Sequence, residues 1–333
     1  MATSIQDPSL TRWYIDTRPL TSSTTSLPLL NTLQPSDQTA VQKFYHLKDK
    51  HMSLASNLLK YLFIHRTCRV PWSSIVISRT PDPHRRPCFI PDPSLLKEGQ
   101  EPTEIEFNVS HQASMVAIAG TIISHTPSPD AGMQESKPQV GIDITCVNER
   151  PNRSGEPRSL VSLHNYIDIF TEVFSSDEIA AMRRLHGAPS TNTGTTDDQL
   201  VDYGYRLFYT YWALKEAYIK MTGEALLAPW LRELEFSNVI APDAVSAEGR
   251  FGEPYAGVRT TLRKQNVEGV RVEVVALEGD YLLATAARGV GIGFGSGPDP
   301  GNGQEGDAWR PFEKLDIERD IRPCATGICK CLS

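Results

Sequence analysis

YTYWALKEAYIKMTGEALL, residues 209–227, is the stretch on which the fold turns. It holds no proline, it is rich in good helix formers, and Gly223 offers a C-terminal stop, so it reads as a helix. At a spacing of four, Trp212, Glu216 and Lys220 lie along one face, with Tyr209, Ala213 and Ala217 beside it. A glutamate followed one turn later by a lysine is ordinarily a solvated pair worth about 0.3–0.5 kcal/mol. Lys215, Glu216 and Lys220 among so many bulky apolar residues call for another reading.

The chain has 333 residues, enough for two modest domains or one large one. Hydrophobic residues make up 40% and charged residues 22%, a composition that supports a globular core. The net charge of −7 argues against general binding to nucleic acid or to a membrane, and leaves room for a local basic pocket. MATSIQDPSLTRWY has no basic segment followed by an apolar run, so no signal peptide is expected there. Runs such as MVAIAG fall far short of a membrane span. Six cysteines are scattered, none paired at a zinc-ribbon spacing. Cys68, Cys88 and Cys146 sit in apolar surroundings and read as buried thiols, which fits a reducing cytoplasm. In the ending CATGICKCLS, Cys331 is one residue too close to the end for a prenylation box. A disordered tail is the expectation there, with reactive or acylated cysteines as the alternative.

Outward from the first stretch, KDKHMSLASNLLKYLFIHR (48–66) places Met52, Leu54, Ala55, Leu58, Leu59, Leu62 and Phe63 on an apolar helical face, with Lys48, Lys50 and His51 at its start. WSSIVISRT reads as a strand, and the turn-rich PDPHRRPCFIPDP follows it. IEFNVSHQASMVAIAGTII alternates as two strands with a turn or short helix near 112–114. VGIDITCV is a strand with Val140, Ile142 and Ile144 on one face and Gly141, Asp143 and Thr145 on the other. LVSLHNYIDIFTEVF reads as one helix, and SSDEIAAMRRL as another started by Ser175 or Ser176 with acids behind it. GAPSTNTGTTDD is a polar insertion, and RVEVVALEGDYLLATAA a hairpin turning at 278–280. The pattern is α+β in two similar-sized lobes joined near residues 124–139, and such a join is a common place for a ligand.

Three segments carry chemistry together: FNVSHQ (107–112), GIDITCVNER (141–150) and WALKEAYIK (212–220). In this order they resemble the 4′-phosphopantetheinyl transferases, in particular the broad-specificity, surfactin-synthetase-activating type and its fungal branch, over residues 12–290. The resemblance implies two similar lobes as a pseudo-dimer, each a small antiparallel sheet packed with helices, with the active site at the lobe interface. The domains follow as 1–130 for the N-terminal lobe with the adenine and 3′-phosphate contacts, 131–290 for the metal and catalytic residues, and 291–333 for a flexible linker and tail. It implies transfer of phosphopantetheine from coenzyme A to a serine of apo carrier domains of polyketide synthases, peptide synthetases and lysine biosynthesis, with release of 3′,5′-ADP. It further implies a monomer and a magnesium ion, with manganese as the alternative ion.

The residue roles carried by the resemblance fit the chemistry of the side chains. Magnesium prefers hard oxygen ligands and uses one or two carboxylates beside phosphate oxygens; Asp143 and Glu216 supply them. Glu216 also accepts the serine proton, directly or through a water. Lys220 neutralises the diphosphate and helps 3′,5′-ADP leave. Coenzyme A would meet Ser110 and His111, Arg86 before a proline, Lys48, and Lys220; Arg85, Lys50 and His51 are weaker basic positions. Many members carry a second acid two residues after the aspartate. Here that residue is Thr145, so Gln112, Thr145 or a water completes the metal shell. Trp212 reads as core packing. Two other classes compete with the transferase: a non-catalytic module that captures carrier domains, and a metal-dependent hydrolase of nucleotide diphosphates. A metal pair is superfluous to the first, and FNVSHQ has no evident job in the second.

Overall fold

The computed structural model describes residues 9–81, 84–95, 101–123, 137–148, 158–189, 195–224, 228–289, 292–293 and 309–332. Most of the expected 124–139 join, part of the polar insertion and nearly all of the glycine-rich linker lie outside the described residues. The chain forms two compact units, Met1–Ile142 with Ala287–Ser333, and Asp143–Ala286.

In the first unit, β1 (Thr11–Asp16) is followed by the short helices α1 (Arg18–Ser23) and α2 (Pro35–Gln42) and by the long α3 (Leu47–Cys68). The strands β2 (Ile77–Arg79) and β3 (Pro87–Phe89) pair as a small antiparallel ribbon. A hairpin then joins β4 (Ile105–Gln112) to β5 (Met115–Ile122), with Ile105 opposite Ile122 and Gln112 opposite Met115. Its two turn residues, Ala113 and Ser114, both have positive φ (47° and 73°), the tight-turn geometry that matches the strand twist. β5 lies between β4 and β1, and α3 packs on this sheet. An uninterrupted run of residues without Pro or Gly carries α3 for six turns, and all seven apolar residues expected on its buried face are buried. Phe63 presses so close to the sheet that a Cβ at Gly120 would stand 2.5 Å from its ring.

The expected strand WSSIVISRT is a 3₁₀ turn at Trp72–Ser74 followed by the short β2. Tertiary bonds hold the turn: the Trp72 indole donates to the Thr32 carbonyl at 3.1 Å, and Gln34 donates to the Ser73 and Ile75 carbonyls.

The tail also departs from expectation. Residues 309–332 are folded onto the first unit rather than loose. β12 (Glu313–Lys314) adds to β1 as a parallel strand, a π-helical turn follows at Ile317–Ile321, and α7 (Arg322–Ala325) ends the chain's regular structure. Leu315, Ile317, Ile321 and Cys324 enter the same core as Leu58, Leu62 and Phe107, so apolar burial anchors them.

β6 (Gln139–Cys146) runs across the division at Ile142, and in the second unit it leads into α4 (Leu160–Asp168), α5 (Ser176–Arg183) and α6 (Asp197–Thr222). β7 (Leu234–Ser237), β8 (Arg259–Leu262) and β9 (Gln265–Asn266) form one antiparallel sheet. β10 (Val270–Leu277) and β11 (Tyr281–Arg288) form a hairpin that carries β6 on its far side, in the order β10-β11-β6. The plan of the first unit thus recurs: a strand, a long helix, then a hairpin whose second strand is central. The architecture is α+β, with small antiparallel sheets and packed helices in each unit.

α6 is longer than its aromatic stretch. It starts at a capping box, where Thr196 accepts from the Gln199 amide, and stops at Gly223 with φ 84°. Gly204 within it lets α4 approach, since a Cβ there would meet Leu163 at 2.3 Å. The segment expected as one helix over 160–174 ends at Asp168 and continues as turns to Phe174. There Phe170 and Phe174 turn into an aromatic cluster with Phe208, Tyr211 and Trp212.

Candidate active site in the second unit

Strand alternation places Asp143 and Thr145 on one side of β6, and both are buried, at 5% and 2% exposure. The Thr145 hydroxyl donates to Asp143 Oδ2 at 2.8 Å. Lys220, from the last turn of α6, donates through Nζ to Asp143 Oδ1 at 2.6 Å. Both carboxylate oxygens of Asp143 therefore have a donor, which fixes the plane of the group. Glu216, one turn before Lys220, is half-buried on the same helix. Burial raises its carboxyl above the usual carboxylate range, the nearby Asp143 charge raises it further, and Lys220 offsets part of both effects.

Two carboxylates thus crowd a partly dry site with one ammonium near them. This donor set of hard oxygens fits a divalent magnesium ion, whose charge would relieve the Asp143–Glu216 repulsion. The same set can take a proton at Glu216 and present a positive charge at Lys220 to a phosphate.

Sequence reasoning assigned no role to the neighbouring charge, Lys215. It is fully buried and forms an ion pair with Glu178, itself 1% exposed, at 2.9 Å. Lys215 also donates to the carbonyls of Leu231, at 3.0 Å, and Leu234. Glu178 closes the capping box of α5 by accepting from the Ser175 amide at 2.9 Å, and it accepts from the Phe236 amide at 2.8 Å. Burial raises Glu178 and lowers Lys215, against the pull of each on the other. The signal was present: Lys215 falls with Tyr211 and Tyr218 on the apolar side of α6, where an unpaired charge is untenable. Trp212 stacks against Phe208 and meets Phe170 edge-on, a packing role as expected.

The other expected site residues lie in the first unit. Ser110 is buried, while His111 is exposed near the end of β4 and Gln112 is half-buried beside it. Lys48 is exposed in the first turn of α3. Arg86 already has structural partners, since it pairs with Glu106 and donates to the Val140 carbonyl at 2.9 Å. His51 is neither surface charge nor an open ligand: it is fully buried between the Thr21 hydroxyl, at 2.9 Å, and the Ser26 carbonyl, at 3.0 Å. Arg85 is exposed, with φ 45°, and Lys50 is half-buried.

Two family models match the chain in succession. One, described as 4′-phosphopantetheinyl transferase, N-terminal, covers residues 20–123, and the other, the 4′-phosphopantetheinyl transferase superfamily, covers residues 139–286. The 4′-phosphopantetheinyl transferase NpgA of Emericella nidulans is 69% identical over 98% of this chain and 97% of its own length. The 4′-phosphopantetheinyl transferase A of Aspergillus fumigatus is 60% identical over 97% and 96%, respectively. A 4′-phosphopantetheinyl transferase of Aureobasidium melanogenum is 34% identical over 94% and 96%.

Proposed function

The chain belongs to the 4′-phosphopantetheinyl transferase family, and from that premise we propose how its residues divide the work of the reaction. The enzyme transfers 4′-phosphopantetheine from coenzyme A to carrier proteins. The carrier's serine oxygen attacks phosphorus in the diphosphate, a new P–O ester bond forms, the bond to 3′,5′-ADP breaks, and the serine proton goes to a base.

In this reading Asp143 and Glu216 hold magnesium, with manganese as the second ion their oxygens suit. When bound, the metal would neutralise diphosphate charge and polarise the phosphoryl oxygens. Glu216 takes the serine proton, directly or through a water. Lys220 offsets the charge that grows on the departing 3′,5′-ADP. Thr145 orients Asp143 through its hydroxyl, and Gln112 is the proposed further oxygen ligand, with a water as the alternative. His111 and Lys48 are the proposed phosphate contacts of coenzyme A. Arg86 and Ser110 are assigned to the same cofactor by resemblance, and the Glu106 pair gives Arg86 a structural duty besides. The carriers proposed are those of polyketide synthases, peptide synthetases and lysine biosynthesis.

The observation that supports this division is the Asp143–Lys220 contact with Glu216 one turn away. The test is incubation with coenzyme A, an apo carrier domain and a magnesium titration after chelation. Mass gain on the carrier, matched by 3′,5′-ADP and dependent on magnesium or manganese, is the expected result. Full transfer in excess chelator would refute the metal assignment. Cleavage of coenzyme A without carrier modification would favour the hydrolase reading.

A further inference from the structure

The folded tail brings together side chains that the transfer reaction does not use. Gly327, with φ 76°, turns the chain after α7, and the amides of Ile328 and Cys329 both donate to the Pro323 carbonyl at 3.0 Å. This turn sets Cys324, Cys329 and Cys331 around one point. The fourth side chain at that point is His65, in the last turn of α3. Its Nδ1 lies 2.7 Å from the Val70 carbonyl. A carbonyl only accepts, so Nδ1 carries the proton and Nε2 presents its lone pair to the sulfurs. His65 Nε2 stands 3.2 Å from Cys329 Sγ, and Cys324 Sγ stands 3.7 Å from Cys331 Sγ. All four ligand atoms lie within 4.8 Å of one another.

We propose that His65, Cys324, Cys329 and Cys331 bind a structural zinc ion that fastens the tail to α3. A tetrahedral zinc with Zn–S bonds of about 2.3 Å has S···S edges of about 3.8 Å. The 3.7 Å edge matches that spacing and is far from the disulfide bond length of about 2.05 Å. Three thiolates and one imidazole select zinc over magnesium or calcium, which prefer oxygen. Four protein ligands close the coordination shell, so the site is structural rather than catalytic. The surroundings fit such a site. The bond from His65 Nδ1 to Val70 is the carbonyl contact that ordinarily orients a metal-bound histidine. Trp72 packs edge-on against the imidazole, with ring centroids 6.1 Å apart. Arg66, the residue after His65, places a guanidinium whose charge favours the Cys324 thiolate and opposes the net negative charge of a zinc with three thiolates. His65 and Cys324 are each 1% exposed, while Cys329 and Cys331 are half-buried, leaving an entry side. Zinc binding replaces the three thiol protons, which pass to solvent. The ion would link residues 264 apart in sequence and brace the helix whose first turn bears Lys48.

The test uses the full chain, purified under reducing conditions with neither chelator nor added metal. Elemental analysis should find about one zinc per chain. After chelation, cobalt(II) should restore one equivalent of metal, with thiolate-to-cobalt charge transfer and intense tetrahedral d–d bands. Cys329→Ser and Cys331→Ser should lose the zinc and those bands, whereas Cys329→His should keep the zinc. Chelation should lower the melting temperature of the native chain and leave that of Cys329→Ser unchanged. The cobalt spectrum of the native chain stands even where a variant fails to fold. A native chain that binds neither zinc nor cobalt, a Cys324–Cys331 disulfide in its place, stoichiometric iron or copper, or full zinc in the serine variants would each overturn the proposal.

Discussion

Two lysines on α6, five residues apart, each meet a carboxylate, and the two pairs differ in what surrounds them. Lys215 and Glu178 are wholly buried, and their remaining hydrogen-bonding capacity goes to backbone at both ends: two carbonyls for the lysine, two amides for the glutamate. The pair joins α5, α6 and β7, and it offers nothing to a substrate. Lys220 and Asp143 are close as well, but the lysine side chain is 27% exposed, and a second carboxylate, Glu216, lies one turn away with its proton affinity raised. Here charge is in excess and open to a ligand. The lesson is that contact alone does not separate a structural ion pair from a reactive one; the balance of charge and the exposure do.

The largest expected effect breaks the buried pair. Glu178→Ala leaves the Lys215 ammonium buried without its counter-ion and should cost about 3–5 kcal/mol in denaturant unfolding. Replacing both residues, as Lys215→Met with Glu178→Leu, should recover most of that loss, because the desolvation cost of the two charges goes with them. A single variant as stable as the native chain would show that the pair has no structural role.

At the open pair the expected losses are in rate rather than stability. Asp143→Ala should lower carrier modification by about a hundredfold to a thousandfold, about 2.7–4 kcal/mol, with an unchanged circular dichroism spectrum. Near-normal turnover at saturating magnesium would remove Asp143 from the metal site and erase the contrast with Glu178.

Glu216 sharpens the comparison through pH. Its carboxyl holds its proton more tightly in the folded state than in the unfolded chain, so its ionisation opposes folding. That penalty is absent below the unfolded carboxylate range and grows as pH rises toward and through the raised folded value. Measured without divalent metal, Glu216→Gln should therefore melt higher than the native chain at neutral pH and equal it in acid, while losing transfer activity. A lower melting temperature at neutral pH would mean that Glu216 has a stabilising partner.

The smallest effect belongs to Thr145. Thr145→Val keeps the shape and removes one hydrogen bond to Asp143, so it should cost about 1 kcal/mol, read as a modest fall in transfer rate. Complete inactivity in a folded Thr145→Val variant would give that hydroxyl a direct role in the reaction.

The sequence by itself determined whatever repeats over two to four residues. Period two put Asp143 and Thr145 on one side of β6, and the helical turn put Glu216 beside Lys220. Gly223 marked the end of α6, and alternation around 112–114 marked the β4–β5 hairpin. These features depend on local geometry, which a short window contains. The start of α6 was written in the Thr196-to-Gln199 capping-box spacing and the acids behind it, but Gly204 and the tyrosines that follow make a weak local helix, and packing against α4 supplies the rest. Only the tertiary structure decided which charges are paired. Glu178 lies on another helix from Lys215, Arg86 finds Glu106 across a turn-rich stretch, and His65 finds three cysteines at the other end of the chain. The tail read as loose because its few apolar residues show no period. They are held by a core that other segments build, and a sequence window carries no record of a surface that exists only once the chain has closed on itself.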